Sequence, residues 1–136
     1  MIRDLFPRET LTNVRDGTGT VYRQIILQPE EMLGHGTIFA KFSIPPGCSI
    51  GLHQHKGGCE WYFVLSGSGS LLGAHGKKNP IKAGQLALLD ELGMHGIEND
   101  GGGCLEIIAL GLQYQQSSPE KNISLKLCNK AINDFI

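Results

Sequence analysis

Apolar residues recur at every second position in several short stretches of this chain, which is the period of a strand with one buried face. Thr37 to Ile44 (TIFAKFSI) sets Ile38, Ala40, Phe42 and Ile44 on one side, and Thr20 to Gln28 (TVYRQIILQ) is equally rich in β-branched and aromatic residues. Both predict strands. The Pro-Pro-Gly run at 45–47 turns the chain into a strand from Cys48 to His55, and the HKGG run at 55–58 turns it again. Cys59 to Ser66 (CEWYFVLS) then gives the strongest strand pattern and closes a hairpin. Gly69 to Ala74, Pro80 to Lys82, Gln85 to Asp90, His95 to Asn99 and Cys104 to Leu112 continue the series, separated by HGKKN, Ala83-Gly84 and NDGGG turns. After the polar stretch QYQQSSPEKN (113–122), ISLKLC (123–128) alternates as a last strand and KAINDFI suits one helical turn.

Strand parity sorts the side chains further. Tyr62 and Val64 share a face with Glu60 and point inward, whereas Trp61, Phe63 and Leu65 form an apolar stripe on the opposite face. Such a stripe calls for a cover, supplied by the chain's own outer segments or by a second copy of it. Short strands with a turn every few residues predict an all-β sandwich or barrel, because closure removes exposed strand edges. Nineteen glycines and six prolines spread along the chain as punctuation agree with that.

The chain has 136 residues, 40% of them hydrophobic, with no break in composition, so it reads as one domain with its own core. Twelve basic against thirteen acidic residues give a net charge of −1, and no basic stripe marks a nucleic-acid partner. The first seventeen residues carry Arg3, Asp4, Arg8 and Glu9 and lack the apolar centre of a signal peptide, and no run reaches membrane-spanning length. A cytoplasmic protein is expected, with Cys48, Cys59, Cys104 and Cys128 as reduced thiols.

The chemistry concentrates around the central hairpin. His53 and His55 are two apart, so their imidazoles share a strand face, and Glu60 follows across a short glycine turn. His95 opens a later strand that barrel closure can return beside the first pair. Imidazoles with one carboxylate suit Mn, Fe, Ni, Cu or Zn, whereas Ca and Mg prefer all-oxygen shells. Four protein ligands fill a tetrahedral site but leave two positions open on an octahedral ion for water, substrate or dioxygen.

The string GCSIGLHQHKGGCEWYFVLSG, residues 47–67, has the spacing G-x5-H-x-H-x4-E-x6-G and resembles the first motif of the cupin superfamily, with Gly47, His53, His55, Glu60 and Gly67 at its positions. The second motif, G-x5-P-x-G-x2-H-x3-N, is matched by Gly84, His95 and Asn99, while Asp90 and Leu92 replace its proline and glycine. The resemblance covers about residues 36–112 and implies a double-stranded β-helix, or jelly-roll barrel, within a single domain spanning 1–136. It implies that His53, His55, Glu60 and His95 hold one divalent transition metal per chain. It also implies a homodimer, with the N- and C-terminal extensions pairing with a partner's sheet. Similar proteins include dioxygenases, decarboxylases and isomerases, so the expected function is metal-dependent chemistry on a small oxygen-bearing organic molecule. The rival expectation is a non-catalytic small-molecule binder with an anchoring metal.

Three further residues are candidates for direct participation in chemistry. Tyr62 shares the inner face with Glu60 as a substrate contact, and Asp90 and Glu91 precede the loop into His95, where a carboxylate can serve as acid or base. Glu106 is a candidate of the same kind. Cys48 and Cys59 have the wrong parity for metal binding and read as small buried residues, and His35 and His75 fall in exposed turns.

Overall fold

The computed structural model describes residues 1–89 and 93–114. Ten strands are formed among them: β1 (Glu9–Thr12), β2 (Thr20–Leu27), β3 (Gly36–Ile44), β4 (Ser49–His53), β5 (Gly58–Ser66), β6 (Ser68–Gly73), β7 (Lys78–Lys82), β8 (Leu86–Leu89), β9 (His95–Glu98) and β10 (Leu105–Gln113). Three short 3-10 turns, at Val14–Asp16, Pro29–Glu31 and Ala74–Gly76, are the helical elements among the described residues. None of these is long and apolar enough to cross a membrane.

The strands build two antiparallel sheets, one of order β1-β2-β3-β10-β5-β8 and one of order β4-β9-β6-β7. Their inner faces share one core. From the larger sheet it takes Ala40, Phe42, Ile44, Val64 and Ile107, and from the smaller Ile50, Ile81 and Ile97. The alternation expected of Ile38, Ala40, Phe42 and Ile44 is seen, with Ala40 and Ile44 fully shut off from water and Ile38 packed at the margin. On β5, Tyr62 and Val64 are buried while Phe63 and Leu65 are exposed, as parity requires.

Two motif residues have plain structural work. Gly67 alone joins β5 to β6 at a φ of +81°, and a Cβ there would stand 2.4 Å from the Cys104 carbonyl oxygen, so only glycine fits. Asn99 is buried; its amide donates to the carbonyls of Ile44 (2.7 Å) and Gly103 (2.6 Å), and its side-chain oxygen accepts from the Gly101 N–H at 3.0 Å. Its backbone also pairs with Gly47 and Cys48. Asn99 thus ties the 99–103 turn to the Pro-Pro-Gly turn across the barrel end.

The observed strands follow the expected ones within a few residues, with two differences. The strand expected from Cys48 to His55 ends at His53, because the 55–58 turn starts its reversal earlier. And β1 has no counterpart among the expected strands: ETLT is too short and polar to declare itself, and it exists through its pairing with β2, from Glu9 opposite Arg23 to Thr12 opposite Thr20. The strand expected at 123–128, the helical turn after it and Cys128 lie outside the described residues. Cys59 is buried, with its thiol 3.4 Å from the Tyr114 hydroxyl, Cys48 is half-buried against the core, and His35 and His75 are exposed.

Candidate metal centre

His53 is the last residue of β4 and lies in register opposite His95, the first residue of β9. This pairing within the smaller sheet brings together two side chains that are far apart in sequence. His55 follows just beyond the end of β4, and Glu60 reaches in from β5 of the larger sheet. The cluster therefore sits between the sheets, at one end of the core.

One ligand-type atom from each of His53, His55, Glu60 and His95 lies within 4.8 Å of all the others. The three imidazoles pack against one another, with ring centroids 4.8 Å apart for His53 and His55 and 4.4 Å apart for His53 and His95. Nδ1 of His53 is 2.8 Å from the Gly51 carbonyl oxygen. A carbonyl can only accept, so Nδ1 carries the proton and Nε2 keeps its lone pair. That Nε2 faces Nε2 of His55 at 3.1 Å. Glu60 Oε2 touches Nε2 of His55 and is 3.7 Å from Nε2 of His95.

These groups are poorly satisfied by one another. Glu60 and His95 are buried, and Glu60 Oε2 and both ring nitrogens of His95 are shut off from water without a hydrogen bond of acceptable direction. Buried polar atoms are rarely left so, and several together call for a partner they share. Donor atoms about 2.1 Å from one ion stand ~3.0–3.4 Å from their neighbours, and the His53–His55 and Glu60–His95 separations of 3.1 and 3.7 Å lie in or near that range. Three nitrogens and a carboxylate oxygen suit a divalent transition ion in charge and softness.

The electrostatics agree. Burial works against the Glu60 carboxylate, but its interactions with His55 and then His95 outweigh that and bring its pKa to about 2. Burial lowers the pKa of His53, and the neighbouring His95 and His55 lower it further, against the opposing pull of Gly51. Tyr62 is displaced well upward, first by burial and then by the negative charge of Glu60 and the hydrogen bond to it. Near neutral pH the site thus offers an ionised carboxylate, a neutral His53 ring and a phenol that keeps its proton.

A cavity of about 320 Å³ opens above the cluster, bounded by His53, His55, Glu60 and Tyr62. Tyr62, a candidate from the sequence, stands with its ring 5.9 Å from that of His95. Asp90 and Glu91 lie outside the described residues. Glu106 is on the outer face of the larger sheet, where it accepts from Ser43 at 3.2 Å and pairs with Lys41 at 3.4 Å, so it does not border the cavity. Sequence reasoning passed over Arg15 and Arg23, which also line the cavity. Arg15 follows β1, itself unexpected, and Arg23 lies on the expected strand β2, where nothing in its pattern set the residue apart.

Ten antiparallel strands in two facing sheets, with histidines and a glutamate converging between them, define a double-stranded β-helix protein with a candidate metal centre. The sequence profile of the family described as "Cupin domain" matches residues 40–111, and the chain belongs to that family. It is 40% identical over 102 residues to the oxalate-binding protein of Thermotoga maritima, a match covering 75% of this chain and 84% of that protein. Among solved structures it resembles one described as a predicted oxalate decarboxylase from Thermotoga maritima, at 38% identity and a TM-score of 0.75, over 79% of this chain and 92% of that one. A polyketide cyclase of Streptomyces resistomycificus, 15% identical, shares the fold with a TM-score of 0.66 over 86% of this chain and 83% of its own.

Proposed function

We propose that this cupin holds one divalent transition metal, of the Mn, Fe, Ni or Zn type, through His53, His55, Glu60 and His95. In this reading the chain, residues 1–136, works as one domain and acts as a metal-dependent enzyme on a small carboxylate such as oxalate. The observation that carries the proposal is the convergence of four ligand-type side chains beneath a cavity large enough for a small molecule. The likeness to an oxalate-binding protein supports the ligand class.

A divalent transition ion supplies a Lewis acid that polarises a carboxylate or carbonyl oxygen. The chain's own residues do the rest. Apolar side chains of the cavity wall, Ile38, Phe42 and Ile50 among them, keep bulk water from the ligand. Tyr62 holds its proton and hydrogen-bonds Glu60 with it, so beside the ligand it positions that carboxylate and does not act as a base. Asp90 and Glu91 precede His95 in the sequence, and we assign them the supply or removal of a proton. Conversion of hydrogen oxalate to carbon dioxide and formate breaks one C–C bond and moves one proton to carbon, which is within the reach of such groups.

A second reading, a carboxylate binder without turnover, is favoured by the description of the curated relative as a binding protein. Metal-loaded protein incubated with oxalate separates the two. Formate appearing in proportion to loaded protein, and not with chelated protein, supports the enzyme. Saturable binding without formate supports the binder, and neither binding nor formate would end the carboxylate reading.

We also propose a homodimer formed through the outer face of the larger sheet. Phe63 and Leu65 on β5 and Leu86 on β8 are exposed there, and Phe63 and Leu86 are paired in register.

A further inference from the structure

The turn between β1 and β2 holds three of the five non-glycine residues with positive φ among the described residues: Asn13 at 51°, Arg15 at 53° and Asp16 at 59°. Each such residue costs about 1–3 kcal/mol and persists only where its surroundings hold it. Here the holding is visible. The turn is pressed onto β4, where a Cβ on Gly17 would fall 2.4 Å from the Ser49 carbonyl oxygen and one on Gly51 would fall 2.2 Å from that of Arg15. The Thr18 N–H donates to the Ser49 hydroxyl and the Ser49 N–H to the Thr18 carbonyl, both at 2.9 Å. Gly51, the contact point, is also the residue whose carbonyl orients His53.

The outcome of this packing is that Arg15 lines the cavity above the histidine cluster. Arg23 lines it too, but its guanidinium donates to both oxygens of Glu9, at 2.7 and 3.2 Å, so its charge is matched. Arg15 has no hydrogen bond or ion pair among the described residues. The electrostatic reach of Arg15 into the cavity is also felt at Tyr62, whose phenol it pulls slightly downward against the larger upward effects.

We propose that Arg15 is the anion-recognition residue of this cavity, taking the far carboxylate of a small dicarboxylate whose near end sits at the metal centre. This rests on the reading of His53, His55, Glu60 and His95 as that centre. The guanidinium presents a planar fork of N–H donors that matches a carboxylate with two parallel hydrogen bonds. Charge points the same way: a divalent ion with Glu60 leaves one positive charge, Arg15 makes it two, and a dicarboxylate brings two negative charges. A monocarboxylate or neutral carbonyl compound would leave Arg15 unmatched. A cavity of about 320 Å³ lies at the small end of ligand sites, as suits a short diacid.

The test is calorimetric titration of metal-loaded protein with oxalate and with oxamate, in which a neutral amide replaces one carboxylate. The wild type is expected to prefer oxalate. Arg15→Ala should weaken oxalate binding tenfold or more, leave oxamate within about threefold, and leave metal content unchanged. Arg15→Lys should recover part of the preference. Arg15→Gly, suited to the left-handed backbone, repeats the test if the alanine variant folds poorly. Arg8→Ala removes the same charge from a guanidinium that lies over the Tyr22 ring, away from the cavity lining, and should change neither affinity. Unchanged oxalate binding in Arg15→Ala, or equal loss of both ligands, would overturn the assignment while leaving the metal reading intact. A metal-loaded wild type that binds neither ligand would overturn the carboxylate reading, and the assignment of Arg15 with it.

Discussion

The Gly51 carbonyl decides which nitrogen His53 offers, and this control over tautomer is what makes an imidazole a ready metal ligand. The pH dependence follows from the same residues. His53 has a folded pKa below its ordinary value of 6.5, so the unfolded chain binds more protons between the two. Stability of the metal-free protein should therefore be level above about pH 6.5 and decline as pH falls toward the folded value. Glu60, lowered from 4.5 to about 2, adds a second decline across that lower window. Urea unfolding midpoints measured in chelator from pH 8 to pH 3 check the sign, and a midpoint that rises on acidification would contradict it. Asn99 carries a different load. Asn99→Ala removes three hydrogen bonds and strands two carbonyls, at an expected loss of about 2–4 kcal/mol by chemical denaturation, with metal affinity less affected.

At the scale of elements, the short turn Val14–Asp16 and strand β4 act as one piece because two glycines let their backbones touch. Gly51→Ala should force them apart. The expected result is a loss of about 1–3 kcal/mol, as for other overpacked sites, together with weaker metal binding, since the His53 orienter moves with the strand. Titration of the purified variant with a colorimetric metal competitor reads the second effect; unchanged affinity would mean that β4 is positioned independently of the turn. Elements such as β3, β5 and β10 were legible in the sequence because their alternation and β-branched content report burial on one face directly. β1 was not, since four residues of mixed polarity carry no period and owe their conformation to β2. Arg15 was hidden for the same reason: what places it is contact between Gly17 and Gly51, thirty-four positions apart, which no local pattern expresses.

At the scale of the molecule, Phe63, Leu65 and Leu86 leave an apolar strip on the outer face of the larger sheet, and the proposed second copy is what would cover it. Phe63→Glu combined with Leu86→Glu should shift the mass seen by light scattering from dimer to monomer at micromolar concentration. A wild type already at monomer mass would refute the dimer. The approach of His53, His55 and Glu60 was readable from spacing, because the two histidines stand two apart at the end of β4 and the hairpin brings Glu60 across. The register of His53 against His95 was not derivable from either segment alone and depends on how the whole barrel closes. The measurement that bears most directly on the metal centre is elemental analysis of protein purified without chelator from medium containing Mn, Fe, Ni and Zn. We predict about one transition ion per chain in the wild type, and almost none in a His53→Ala, His55→Ala double variant that keeps its β-sheet circular dichroism. Wild-type protein free of transition metal under those conditions, or a double variant that retains its ion, would contradict the account.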